Sequence, residues 1–161
     1  MDETEQFALS NANRSRRDLE VAFLNCVSLQ NIDLDTDITT VKNKLEWASF
    51  AFAGCKDLVT VNLHNYFADY SLVLAECMFK GCSSLTHIYG VIDITKMDTI
   101  DGTAYHMFDG CTNLQSVTIK YKPGDEYNDL TIDPYGDGTR PRYLRMGLTA
   151  EQMANVVTLI T

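Results

Sequence analysis

The order of apolar and polar positions in this chain recurs four times. Ala22-Phe23-Leu24-Asn25-Cys26-Val27-Ser28-Leu29 is matched by Ala51-Phe52-Ala53-Gly54-Cys55-Lys56-Asp57-Leu58, by Met78-Phe79-Lys80-Gly81-Cys82-Ser83-Ser84-Leu85 and by Met107-Phe108-Asp109-Gly110-Cys111-Thr112-Asn113-Leu114. Cys26, Cys55, Cys82 and Cys111 mark a nearly constant period. A short period of this kind marks a solenoid: one unit cannot bury its own apolar face, so neighbours stack to complete a shared core, and at least about three units are needed.

Each block runs into a short alternating stretch, such as Leu29-Gln30-Asn31-Ile32-Asp33-Leu34 or Leu114-Gln115-Ser116-Val117-Thr118-Ile119. Strand side chains point alternately to opposite faces, so Ile32 and Leu34 are predicted to point inward while Asn31 and Asp33 point outward. The expected core columns are Phe23, Phe52, Phe79 and Phe108; Cys26, Cys55, Cys82 and Cys111; Leu29, Leu58, Leu85 and Leu114; and Ile32, Val61, Ile88 and Val117. Gly90 replaces the last apolar residue of the third stretch, which predicts that this strand ends early. The segments before each block, such as Leu45 to Phe50, read as a helical turn or two, stopped by Asn25, Gly54, Gly81 or Gly110 in left-handed geometry.

Outward positions form the candidate binding surface, expected as a concave sheet face. One column holds Asn31, Thr60, His87 and Ser116, the next Asp33, Asn62, Tyr89 and Thr118, and a third Asp35, His64 and Lys120. Small polar groups around a tyrosine and two histidines suit a protein loop or a glycan, although such a face can equally be ordinary solvated surface. Tyr66, Phe67, Tyr70, Tyr105, Tyr121, Tyr127, Tyr135 and Tyr143 mark the neighbouring loops as a second candidate surface.

Beyond Ile119 the pattern changes. Residues 122–146 are rich in Gly, Pro, Asp and Tyr and read as a loop. Residues 147–161 are expected to be a capping helix, opened by the box Thr149-Ala150-Glu151-Gln152 and closing the end of the solenoid with Met153, Val156, Val157 and Leu159. Residues 1–17 are a lead-in or cap.

Charge removes several functions. With 13 basic against 22 acidic side chains the net charge is -9, which opposes binding to nucleic acid or an anionic membrane. No apolar run reaches the roughly 18 residues of a membrane span, and the acidic start Met1-Asp2-Glu3 is unlike an export signal. The chain is therefore either made for use inside a cell or is part of a longer exported protein. Nucleophile elbows, phosphate loops, zinc-protease motifs and dinucleotide fingerprints are absent, so neither a catalytic residue nor a cofactor is expected. Stacked coils space equivalent cysteines about 4.8 Å apart along a line, which does not make a tetrahedral metal site. Cys77, close to Cys82 along the chain, could pair with it or stay free. A metal or hydrolytic site would have to use His64 and His87 with Asp33 or Asp35, and Asp133 to Gly138 lacks the ligand spacing of a calcium loop.

The pattern Ala-Phe or Met-Phe, then x-Gly-Cys-x-x-Leu-x-x-Ile-x-Ile, resembles the BspA-like, or Treponema-type, leucine-rich repeat over residues 18–121. Ile92 to Met97 ahead of Met107-Phe108 is similar to the related repeat of bacterial lipoproteins, and Gly147 to Met153 to caps found in such repeats of gut bacteria and their phages. The resemblance implies an α/β repeat fold, a short leucine-rich-repeat solenoid of four coils with a C-terminal capping helix. It implies adhesion, host-surface contact or protein assembly, and no catalytic residues. The leading expectation is a non-enzymatic module that binds a protein or surface glycan at Asn31, Asp33, Asn62, His64, His87, Tyr89, Thr118 and Lys120. The alternative is a structural part of an assembly such as a phage virion or tail, with a homo-oligomer or neighbouring subunits as partners. The corresponding locations are a cell surface and a virion.

Overall fold

The structure, a computed structural model, describes residues 19–34, 47–63, 73–97, 103–133 and 141–161. Its spine is one parallel sheet in chain order, β1 (Asn31–Asp33), β2 (Thr60–Asn62), β3 (His87–Asp93), β4 (Ser116–Lys120) and β5 (Val157–Ile160). Asn31, Thr60, His87 and Ser116 lie in register across four strands, as do Ile32, Val61 and Ile88 across three. Sequential parallel strands with a constant register are what a nearly constant sequence period produces when each coil makes one full circuit.

Opposite the sheet, the described residues of the repeated blocks run as chains of tight turns. Within each coil, alternate backbone N–H groups bond along the chain and sideways. Ala22, Leu24 and Cys26 donate to the carbonyls of Leu19, Val21 and Phe23, whereas Leu19, Val21, Phe23 and Asn25 donate to Trp47, Ser49, Ala51 and Ala53 of the next coil. The next two coils repeat this pattern, with sideways bonds of 2.6 to 2.9 Å. An α-helix needs every N–H for the carbonyl four residues back. Left-handed residues recur twice per coil and break that run: Val21, Phe50, Cys77 and His106 in one column, Asn25, Gly54, Gly81 and Gly110 in the other. The second column is small because coils touch there; a Cβ on Gly110 would meet Gly81 Cα at 3.3 Å.

Between sheet and turns lies the core. Phe23, Phe52, Phe79 and Phe108 are buried and stack as near-parallel rings, with centroids 5.1, 5.4 and 5.9 Å apart. Beside them, each buried thiol of the column donates to the preceding coil: Cys55 to Phe23 O at 3.0 Å, Cys82 to Phe52 O and Cys111 to Phe79 O at 3.1 Å. Each of those carbonyls also accepts the N–H of its own coil's cysteine, so one oxygen ties two coils together. Burial pushes the Cys55 and Cys111 thiols up to about 12, and Cys82 is raised for the same reason. Cys77 and Cys82 are both free thiols and do not pair, and Cys26 in the first coil is only partly buried.

Three expectations need correction. First, β3 does not end early but is the longest strand, seven residues. Gly90 takes φ +94° at a break in the register between His87 and Val91, so the missing side chain permits a bulge and the strand runs on through buried Ile92. Second, the helix near the end, α2, covers only Ala150–Asn155, and Val157–Ile160 becomes β5, paired with β4 from Val117↔Val157 to Lys120↔Ile160. Its β-branched residues suit a strand, and the open edge of β4 supplies the partner. The sheet thus has five strands where the sequence predicts four coils. Third, the loop over 122–146 contains a short helix, α1 (Arg142–Arg145), and buries Leu130 and Met146 in the common core.

Residues 142–160 therefore form a last rung with its own chemistry. His106 and Phe108 donate to Arg145 O and Met146 O as earlier coils donate to theirs. Gln152 Nε2 reaches back to Cys111 O at 2.9 Å, a different acceptor from the phenylalanine carbonyls that take the thiols. Thr149 and Gln152 make the reciprocal capping box, 3.0 Å in each direction.

Candidate functional site

The solvent face of the sheet carries the outward residues of the strands. Asn31, Thr60, His87 and Ser116 form one row, with Thr60 Oγ1 donating to Asn31 Oδ1 at 2.7 Å. Thr60 spends its only proton there, which fixes the amide so that the Asn31 NH2 group faces away from Thr60. Asp33, Asn62 and Tyr89 form the second row. Thr118 does not join them: the bulge at Gly90 sets it opposite Val91, and the ladder gives Tyr89 no counterpart on β4. Tyr89 is 50% exposed and stacks on His87, with centroids 5.8 Å apart and planes 15° off parallel.

His87 is oriented from behind. Its Nδ1 lies 3.0 Å from Thr86 Oγ1, and that hydroxyl already donates to Val59 O at 3.0 Å. In that arrangement the Thr86 oxygen is left to accept from Nδ1–H. That pairing corresponds to the His87 tautomer with its hydrogen on Nδ1 and a lone pair on Nε2.

Lys120 stands across from Asp93, 3.4 Å from its Oδ2, and the buried Asp93 carboxylate also accepts from Thr95 N at 2.9 Å and Thr95 Oγ1 at 2.6 Å. Lys120 is thus already engaged by a carboxylate of the neighbouring strand. Asp35 and His64 lie outside the described residues, as do Tyr66, Phe67, Tyr70 and Tyr135 and the lead-in at 1–17. Of the other loop aromatics, Tyr121 and Tyr143 are half-buried against the core, Tyr105 packs edge-on against His106 at 3.8 Å, and Tyr127 is 47% exposed. The two aromatic regions thus differ: among the described residues Tyr121 and Tyr143 pack against the core, while part-buried His87 stacks on exposed Tyr89 at the sheet face.

Reading the sequence alone misses Thr86, which sets the histidine, and the effect of Gly90, which isolates the tyrosine. A glycine inside a strand run is the available signal for the bulge. Among the described residues no group of three or more His, Cys, Asp or Glu is placed to hold a metal ion, and no helix is long and apolar enough to cross a membrane.

Compared with known families, residues 19–125 match the BspA type leucine rich repeat region, in six copies. No curated protein and no solved structure matches the chain.

Proposed function

The chain belongs to the BspA-type leucine-rich repeat family, and from that premise we propose that it is a non-enzymatic interaction module of the adhesion or recognition type. Its binding surface is the solvent face of the sheet, and its ligand is another protein or a surface glycan. One observation carries the reading: the inner columns and the two backbone ladders hold the fold together, while exposed Tyr89, stacked on part-buried His87, stands outside the core. A half-exposed tyrosine on a rigid strand loses little entropy on contact, which suits a binding anchor. The test is a panel of immobilised proteins and glycans probed with the whole chain and with a double variant, His87→Ala with Tyr89→Ala. Binding lost at an unchanged melting temperature supports the reading, and equal binding by both moves the site to the loops around Tyr127.

A second reading, a structural part of a larger assembly such as a phage virion or tail, is favoured by β5. This is the last strand among the described residues, Val157 to Thr161 has no charged side chain, Val157 and Leu159 are only half-buried, and Ile160 is 37% exposed. An edge without charge, proline or bulge invites pairing. Light scattering over a concentration series separates the readings. A monomer throughout fits the recognition module; an oligomer dispersed by Leu159→Lys fits the assembly part.

A further inference from the structure

We propose that His87 and Tyr89 are the anchor for a neutral hexose glycan: the face of Tyr89 turned away from His87 stacks on the C–H face of one sugar, and His87 Nε2 accepts a hydrogen bond from a hydroxyl of the adjoining sugar. This rests on the reading of the sheet face as the binding surface and names the ligand and the atoms.

Four observations converge on a neutral, hydroxyl-bearing ring. The bulge at Gly90 leaves Tyr89 without a neighbour in register on β4, so half of a flat aromatic group is open. Stacking on His87 holds that ring in one orientation before any ligand arrives. With the Thr86 hydroxyl donating to Val59 O, the matching His87 tautomer holds its hydrogen on Nδ1 and offers Nε2 as an acceptor to a ligand that donates. The residues beside the pair in register, Thr60, Asn62 and Ser116, are uncharged, as is Asn31 beyond Thr60, whose amide offers its NH2 group as a donor to ring or hydroxyl oxygens. The carboxylate of Asp33 stands one strand further off, beyond Asn62. A hexose presents both hydroxyl donors and an apolar C–H face. Charge removes the anionic alternatives: the whole chain carries -9, which opposes sialylated and sulfated glycans.

The experiment is a glycan array of neutral hexose oligosaccharides and their sialylated and sulfated counterparts at physiological salt, probed with the full chain and three variants. The wild type is expected to bind neutral members. Tyr89→Ala loses binding by about tenfold, the scale of one aromatic contact. Tyr89→Phe keeps the stacking face and stays within about threefold. His87→Phe keeps a ring against Tyr89 but removes the acceptor, and loses roughly threefold to tenfold. Melting curves confirm that each variant is folded. Binding confined to anionic glycans overturns the neutral ligand. An array with no binding, beside a protein ligand that Tyr89→Ala releases, overturns the glycan while sparing the sheet face as the site. Neutral glycans held equally by wild type and Tyr89→Ala overturn both.

Discussion

The repeats and the last rung solve one problem with different chemistry. In the repeats, a phenylalanine column and a thiol column stack coil on coil, and every corner turns through a left-handed residue before cysteine. In the rung over 142–160 the corner is a short helix, Gln152 reaches back to the Cys111 carbonyl, and the approach is so close that a Cβ on Gly147 would meet Asp109 N at 2.5 Å and the Asp109 carboxylate as well. Both join the same sheet. Stacking therefore depends on the spacing of backbone donors and acceptors more than on the motif, and the motif is the form that can be propagated.

The most damaging change should be Phe79→Ala, which removes a ring stacked on both sides. A loss of about 3 to 5 kcal/mol in denaturant titration is expected. A loss near ~1 kcal/mol, the scale of a surface change, would mean that the ladders alone hold the coils together.

Gly147→Ala sharpens the contrast at the junction. The left-handed backbone costs about 1 to 2 kcal/mol and the clash with the Asp109 backbone about 1 to 3 more. Gly81→Ala shares the backbone term, yet its Cβ would meet nothing closer than 3.8 Å, so it should cost less. Hydrogen exchange should show β5 losing protection before β4 in the first variant only.

Thr149→Ala removes the helix cap and should cost about 1 kcal/mol, read as faster exchange of the Gln152 amide. It leaves the repeats untouched.

The thiol column gives the one contrast that is silent at neutral pH. Burial raises Cys55 and Cys111 from 9.0 to about 12, so the unfolded chain releases these protons first. Their contribution is whole below the ordinary thiol value of 9.0 and fades as pH rises towards about 12. Replacing both with Ala should flatten that part of the stability curve, and a curve unchanged by the double variant would remove the thiols from the account.

The repeat is legible because a constant period needs no structure to be seen, and the family match over residues 19–125 rests on the same recurrence. The chain beyond Ile119 is harder to read. The capping box at Thr149 and Gln152 is a local signal and stands in the sequence, but Val156 to Ile160 reads as a helix face or a strand with equal ease, and only the free edge of β4 decides. Gly90 reads as an ending in the sequence and is a bulge in the fold, because a glycine alone does not say whether the chain leaves or bends. For that reason the sequence columns put Thr118 beside Tyr89, and the exposure of that tyrosine is visible only in the sheet register.

By itself the sequence determined the period, the family, the residue types in each column and the acidic charge, since each is a property of order or composition along the chain. Tertiary structure decided the ladder of tight turns, the fifth strand, the setting of His87 against Thr86 and the isolation of Tyr89. Those depend on which donor meets which acceptor across coils a whole repeat apart in the chain, and a hydrogen bond is settled by position in space.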